Sequence, residues 1–300
     1  MNTRGDALVR AMPAVFVVIW STGFIVARYG MPYAPPMKFL AMRYALSVAC
    51  FALWAFAAGA AWPTERRQWK HLAVTGVLMH GGYLGGVWAA VKLGMGAGLA
   101  ALLVGLQPVL TALWISSRGG MVTARQWTGL LLGFMGLALV VWQKLGVGEI
   151  NLPNLALALG ALLSITVGTL YQKRFLAPCD VRTANLVQLA AALVVTLPLA
   201  LLETEPVQWT GHLLGSLAWS VLALTLGGSS LLYLLIQRGA ATSVTSLLYL
   251  VPPCTALMAW LLFGEVIALS TIVGMGLAAL GVSLVVRAPA ASTVRRSQAR

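Results

Sequence analysis

The chain has 300 residues, 60% hydrophobic and 9% charged, with a formal net charge of +13 and a mean hydropathy of +0.88. A soluble domain carries roughly a quarter charged side chains, so this composition excludes one and points to an integral membrane protein. Cys50, Cys179 and Cys254 are widely spaced in or beside apolar runs, which fits neither a disulfide framework nor a metal site, and no cofactor is expected.

Crossing a hydrocarbon layer of about 30 Å takes about 20 apolar residues. The backbone must satisfy itself inside lipid, so such runs are helices. In chain order they predict ten spans, at 12–31, 38–61, 71–93, 98–116, 126–145, 154–173, 183–202, 213–236, 243–263 and 266–286. Most connections are short, leaving no room for a soluble domain, and no nucleotide-binding loop is present. The first span has no small-residue cleavage motif and is followed at once by another, which predicts a retained helix rather than a signal peptide.

The basic residues divide unevenly. With the N-terminus inside, the inner side takes Arg4, Arg10, Arg66, Arg67, Lys70, Arg118, Arg125, Lys173, Arg174, Arg182, Arg238, Arg287, Arg295, Arg296 and Arg300. Only Arg28, Lys38, Arg43, Lys92 and Lys144 are assigned to the outer side. This positive-inside bias places both termini in the cytoplasm. It makes the basic tail a topology signal and an anionic-lipid contact rather than a nucleic-acid site.

The chain also repeats itself at an offset of about 145 residues. Gly23 recurs as Gly168, Arg28 as Lys173, Gly82 as Gly227 and Gly94 as Gly239. Gly129, Gly133 and Gly136 recur as Gly274, Ala278 and Gly281, and the segment from Pro108 faces that from Pro252. Five spans per copy is an odd number, so residues 1–149 and 150–300 form two five-helix repeats, the second inverted. The two glycine stripes pack the end helices either on each other or on a second protomer. Fused repeats already supply twofold symmetry, so a monomer is expected.

Within the spans, Gly81, Gly82, Gly85 and Gly86 allow close backbone approach, and Gly82, Gly86 and Gly227 are candidates for bending as well as packing. His80 lies mid-span, where polar groups are expensive and face the bundle interior. It shares a helical face with Tyr83. Satisfaction by a neighbouring helix and contact with a ligand are both open to it. The acidic residues Asp6, Glu65, Glu149, Asp180, Glu203, Glu205 and Glu265 all fall near span ends or in loops. A carboxylate relay for ion coupling is therefore not expected. Pro108 and Pro252 sit within the fourth and ninth spans and predict kinks at matching depth, either static or used in gating.

Trp62, Trp69, Trp127, Trp142 and Trp209 read as interfacial belt residues. Trp20, Tyr83, Trp88, Tyr233, Tyr249 and Trp260 fall deeper, with Ser21, Thr22, Thr166, Ser229 and Ser230. Aromatic faces mixed with hydroxyls suit a small, partly apolar molecule bearing polar groups, such as an aromatic or branched amino acid.

At these residues the chain resembles the drug/metabolite transporter superfamily, specifically the EamA-type exporters with ten helices. The resemblance is carried by Ile19-Trp20-Ser21-Thr22-Gly23-Phe24, by Pro35-Pro36 ahead of Ala41-Met42-Arg43-Tyr44, by Ser246 to Pro252, and by Trp260 to Gly264-Glu265. In the first repeat Gly120-Met121 replaces the Gly-Glu pair. The resemblance implies an all-α membrane protein of ten transmembrane helices, two inverted five-helix repeats around a central cavity, in the bacterial inner membrane. It also implies export of small metabolites, and the His80–Tyr83 region and first span look most like the aromatic amino-acid exporters.

The expected function is thus a secondary carrier or uniporter for amino acids. Its central cavity would be lined by Trp20, Ser21, His80, Tyr83, Trp88, Thr166, Ser229, Tyr233 and Tyr249. Efflux of cationic drugs lacks the intramembrane carboxylate it needs. A membrane enzyme lacks clustered acid–base or metal-binding groups.

Overall fold

The computed structural model describes residues 3–117, 123–146, 148–228, 231 and 250–286. Regular structure among the described residues is helical. The chain opens with α1 (Thr3–Gly30) and α2 (Pro36–Ala57). Next come α3 (Arg66–Gly76), a π-helical segment (Val77–Gly82) and α4 (Tyr83–Lys92), which run on as one rod. The short pair α5 (Ala97–Val104) and α6 (Gln107–Ser117) precedes α7 (Ala124–Gly146), α8 (Leu152–Phe175) and α9 (Val181–Leu202). α10 (Gly211–Trp219) continues into a second π segment (Ser220–Gly228), and α11 (Val251–Phe263) and α12 (Leu269–Val286) follow.

Local chemistry sets the boundaries. Pro35 and Pro36 fix the entry of α2. Asn151 and Asn154 form a reciprocal capping box on α8, and Thr210 caps α10 through the Leu213 amide. Asp180 caps α9, and the Arg182 guanidinium bonded to it holds its carboxyl below the usual carboxylate range.

Six helical stretches are long and apolar enough to cross a membrane: Pro36–Ala57, Arg66–Lys92, Ala124–Lys144, Leu152–Phe175, Val181–Leu202 and Gly211–Gly228. Four shorter apolar helices, Ala14–Gly30, Ala97–Thr111, Val251–Phe263 and Leu269–Leu284, accompany them. The fourth expected span differs most from expectation, because the helix stops at Gly105 and Leu106 and restarts at Gln107. Pro108 sits at the restart, where its missing amide N–H costs nothing. Pro252 likewise lies in the first turn of α11. Residues 232–249, which hold the end of the eighth expected span and the start of the ninth, lie outside the described residues.

Packing leaves apolar side chains facing outward, as lipid permits. Leu201 and Trp142 are 77% and 79% exposed, whereas Phe39, Leu40, Tyr44, Phe51 and Met95 are sealed inside. Trp260, expected deep, is half exposed. α7 lies along α12 and α2 along α9, while α4 packs on α8 and α1 on α11.

The glycine stripes are used within the chain. A Cβ on Gly136 would stand 2.7 Å from the Ala278 amide nitrogen, and one on Gly281 would stand 2.5 Å from the Gly133 nitrogen. Bare backbone therefore meets bare backbone between α7 and α12.

The two ends of the bundle differ in charge. At the end where α1 finishes, Arg28, Lys38, Lys92 and Lys144 are balanced by Glu149, Glu203, Glu205 and Glu265. The opposite end carries Arg66, Arg67, Lys70, Lys173, Arg174 and Arg182 against Glu65 and Asp180.

Candidate functional site

The polar centre of the bundle forms where the two π segments face α2 and α9. A π turn leaves carbonyls that the helix itself does not satisfy, and such turns gather at functional sites. Here hydroxyls of neighbouring helices donate to two carbonyls of the first segment, one of which, that of Leu78, also accepts the Tyr83 amide. Tyr44 Oη donates to the His80 carbonyl at 2.8 Å, and Ser164 Oγ donates to the Leu78 carbonyl at 2.8 Å. The Tyr44 ring also meets the His80 imidazole edge-on at 6.1 Å. The His80 side chain is also hydrogen-bonded to the side chain of Gln188 in α9.

The second π segment is held in a related way. Arg43 of α2 donates from Nε and Nη2 to Thr225 Oγ1 at 3.2 and 3.1 Å, and Thr225 Oγ1 donates to the Ser220 carbonyl at 2.8 Å. A shift of 145 positions carries His80 onto Thr225 and Arg43 onto Gln188. The two contacts, Arg43 with Thr225 and Gln188 with His80, are therefore counterparts. One carries a full positive charge; the other is neutral.

Arg43 is the residue the sequence misplaced. Counted there as an outer-side charge, it lies inside the bundle with 8% of its surface exposed. It makes no ion pair among the described residues, and its electrostatic neighbours are Tyr44, Tyr83 and His80. An uncompensated charge taken out of water costs several kcal/mol. Two signals could have revealed the site: Arg43 falls inside the span that starts at 38, and the repeat offset applied to His80 and Arg43 gives Thr225 and Gln188.

The other expected site residues are distributed differently. Tyr83 is 8% exposed and belongs to the central group. Trp20 is partly buried, packs on Phe16 at 5.3 Å and borders the second π segment at Gly228. Ser21 ties α1 to α11: its Oγ donates to the Val17 carbonyl and its own carbonyl accepts from Thr255. Trp88 stacks on Phe39 at 4.3 Å in the packed core. Thr166 donates back to Leu162 within its own helix. Gly82 and Gly86 bring the third span against α8, since a Cβ on Gly86 would lie 2.7 Å from the Leu157 carbonyl oxygen. Gly227 stays within the second π segment. Ser229, Tyr233 and Tyr249 lie outside the described residues.

A cavity of about 450 Å³ opens at the end of the bundle where α1, α4 and α11 finish, lined by Arg28, Tyr29, Tyr33, Lys92 and Phe263 among others. His212 closes on it, stacked against Tyr33 at 5.6 Å and tilted on Tyr29 at 5.4 Å.

Beside this mouth the first turn of α5 is held by two carboxylates. Glu149 Oε1 accepts from the Gly96 amide at 3.0 Å, and Glu265 Oε1 accepts from the Ala97 amide at 3.1 Å. Lys144 pairs with Glu149, and Arg28 with Glu265 at 4.0 Å. Gly264 explains the Gly-Glu pair: at φ +65° it ends α11 in a left-handed turn, which a side chain resists, and so aims Glu265 at α5. These two acceptors together contribute about 1–2 kcal/mol to local order. Glu149→Ala with Glu265→Ala is expected to speed amide exchange at Gly96 and Ala97 roughly tenfold, and mass spectrometry of exchanged protein measures it.

Comparisons with known proteins agree with this architecture. The EamA-like transporter family matches at residues 11–142 and again at 152–287. An uncharacterized transporter of Bacillus subtilis, YvbV, is 26% identical over 286 residues, covering 91% of this chain and 89% of its own. A protein of Salmonella typhimurium named a probable amino-acid metabolite efflux pump is 27% identical over 277 residues, covering 87% of each chain. A solved crystal structure shares the fold with a TM-score of 0.63 at 18% identity, over 91% of this chain and 95% of the other. The paired match, spanning most of the sequence, makes this chain a multi-pass membrane transporter of the EamA-like family.

Proposed function

We propose that the protein exports amino acids, aromatic and other neutral ones first, from the cytoplasm across the bacterial inner membrane. It acts as a monomeric secondary carrier or uniporter, with ten spans in two inverted five-helix repeats, residues 1–149 and 150–300, and both termini in the cytoplasm. The observation that carries the reading is the central group of imidazole, phenol, amide and guanidinium set among apolar helices. These groups can hydrogen-bond a zwitterion while the surrounding aromatics accept its side chain.

Alternating access is supported by the exchange of partners between the repeats. α2 packs on α9 and α7 on α12, each helix against its repeat counterpart. α3 meets α8 as α10 meets α1. The name of the Salmonella relative points the same way. Monomeric function is supported by the glycine stripes, which are occupied inside one chain. Efflux of cations is opposed by the central positive charge on Arg43.

The test is uptake of radiolabelled phenylalanine and threonine into proteoliposomes. Transport above empty vesicles is expected. His80→Ala should lower it roughly tenfold, the worth of about one buried hydrogen bond, while folded protein remains in the membrane. Rates equal to empty vesicles for both amino acids would remove the assignment.

A further inference from the structure

The cavity at the end of the bundle where α1, α4 and α11 finish is separate from the polar centre. Lys92, on its wall, lies twelve residues along the same rod from His80, about 18 Å at 1.5 Å per residue. Its volume of about 450 Å³ falls within the roughly 300–1,000 Å³ of small-molecule sites. Around it runs a chain of rings drawn from α11, α1, α10 and the turn after α1. Phe263 meets Tyr29 at 5.7 Å, Tyr29 meets His212 at 5.4 Å, and His212 stacks on Tyr33 at 5.6 Å. Tyr29 and His212 are exposed. Rings that pack on one another while open to water present an apolar face of the kind that receives a ligand.

Two cations stand beside these rings, and no carboxylate lines the cavity among the described residues. Lys92 is largely spent, since Nζ donates to the Met31 carbonyl at 3.2 Å and to Glu205 at 2.6 Å. Arg28 is not. Its ion pair with Glu265 spans 4.0 Å, too long for a hydrogen bond, and the same Glu265 oxygen already accepts from the Ala97 amide. No described residue accepts a hydrogen bond from the Arg28 guanidinium, which has five N–H groups to give. The arrangement also belongs to one end alone. Shifted by 145 positions, Tyr29, Tyr33 and His212 fall on Arg174, Pro178 and Arg67, which cannot build the same run of rings.

We propose that this cavity is a second binding site, for an aromatic carboxylate, with the carboxylate on Arg28 and the ring against Tyr29, Tyr33 and His212. The guanidinium fork supplies charge-assisted donors and the stacked rings supply the apolar face. That the ligand is the exported molecule, held at the outer mouth before release, rests on the export reading. The site itself rests on the cavity, the rings and the uncommitted guanidinium.

The chain has three histidines, and each reports a different depth: His71 at the opposite end, His80 in the centre and His212 at the cavity. The experiment is nuclear magnetic resonance of protein carrying isotope-labelled histidine in phosphatidylcholine nanodiscs, at one fixed pH. Signals are assigned with His71→Gln and His212→Gln. The probes are 3-phenylpropionate, which has the ring and carboxylate, and phenethylamine, which has the ring and an ammonium instead. 3-Phenylpropionate is expected to move the His212 signal saturably, and phenethylamine to leave it in place. Arg28→Gln should weaken the response to 3-phenylpropionate roughly tenfold or more, the loss expected for a charged hydrogen bond. Arg28→Lys keeps the charge without the fork and should fall between. Unmoved His71 and His80 signals in these variants show that the bundle is intact.

An unresponsive His212, an equal response to phenethylamine, or an undiminished response in Arg28→Gln overturns the proposal. A response confined to His80 places the acid in the centre and overturns it too. Loss of the response when phosphatidylglycerol replaces phosphatidylcholine makes the cavity a lipid headgroup site, with the same consequence. Flux in proteoliposomes tests the export reading separately. Phenylalanine transport without a His212 response removes only the mouth site, whereas a His212 response without transport upholds the site and removes the export reading.

Discussion

Gly281→Val and Gly136→Leu are each expected to prevent recovery of folded protein from the membrane, whereas Gly276→Leu in the same helix as Gly281 is tolerated. The reason is the identity of the obstacle. Beta carbons at 136 and 281 would run into backbone atoms of the facing helix, while one at Gly276 meets open space. A flexible side chain could rotate away; a helix backbone cannot. The two rods would have to separate along their length and lose the contacts between Gly136 and Gly274 and between Gly133 and Gly281 together. Overpacking typically costs about 1–3 kcal/mol, and backbone obstruction falls at the upper end or beyond. That is a large share of the roughly 5–15 kcal/mol by which a protein is stable. Size-exclusion profiles in detergent with thermal unfolding of the three variants measure the difference. A monodisperse Gly281→Val protein melting at the wild-type temperature would contradict the packing.

Tyr44→Phe combined with Ser164→Ala should abolish most transport without unfolding the bundle. Each hydroxyl donates to a carbonyl of the first π segment, Tyr44 to His80 and Ser164 to Leu78. Removing both takes the side-chain donor from the His80 carbonyl, at about 1–3 kcal/mol, and leaves the Leu78 carbonyl with the Tyr83 amide alone. Relaxation to an α-helix changes the angular position of every residue beyond the turn by roughly 100°, the rotation of one residue. Tyr83 and Gly86 would then no longer face their present neighbours. Either single variant should transport at an intermediate rate, and the double variant below both. Flux in proteoliposomes, with amide exchange over residues 77–86, checks both halves. Unchanged exchange together with lost flux would mean that the hydroxyls act on substrate rather than on the turn.

Some residues could be read from either level and others only from one. His80 stands out in sequence because it interrupts an apolar run, and a polar group at that depth must face protein. Arg43 did not, because span ends are uncertain by a turn and a basic residue near one reads as an interfacial charge. Its depth became clear only from the contact with Thr225, 182 residues away in sequence. Gly82 and Gly86 announced close approach, but their partner, α8, had no signature of its own. The π segments left no sequence trace at all. A π turn inserts one residue into a helix, and what holds it here is a pair of hydroxyls on other helices.

Composition and the length of the apolar runs determined by themselves that the chain is helical and membrane-embedded, since lipid offers the backbone no alternative partner. The 145-residue spacing determined which positions are equivalent. Tertiary structure alone decided which surfaces meet: that the end-helix stripes close on one another, that the fourth span breaks ahead of Pro108, and that Arg43 and His80 share one interior. Periodicity fixes which residues lie on a common face of a helix, but the face opposite is chosen by the packing of the whole bundle.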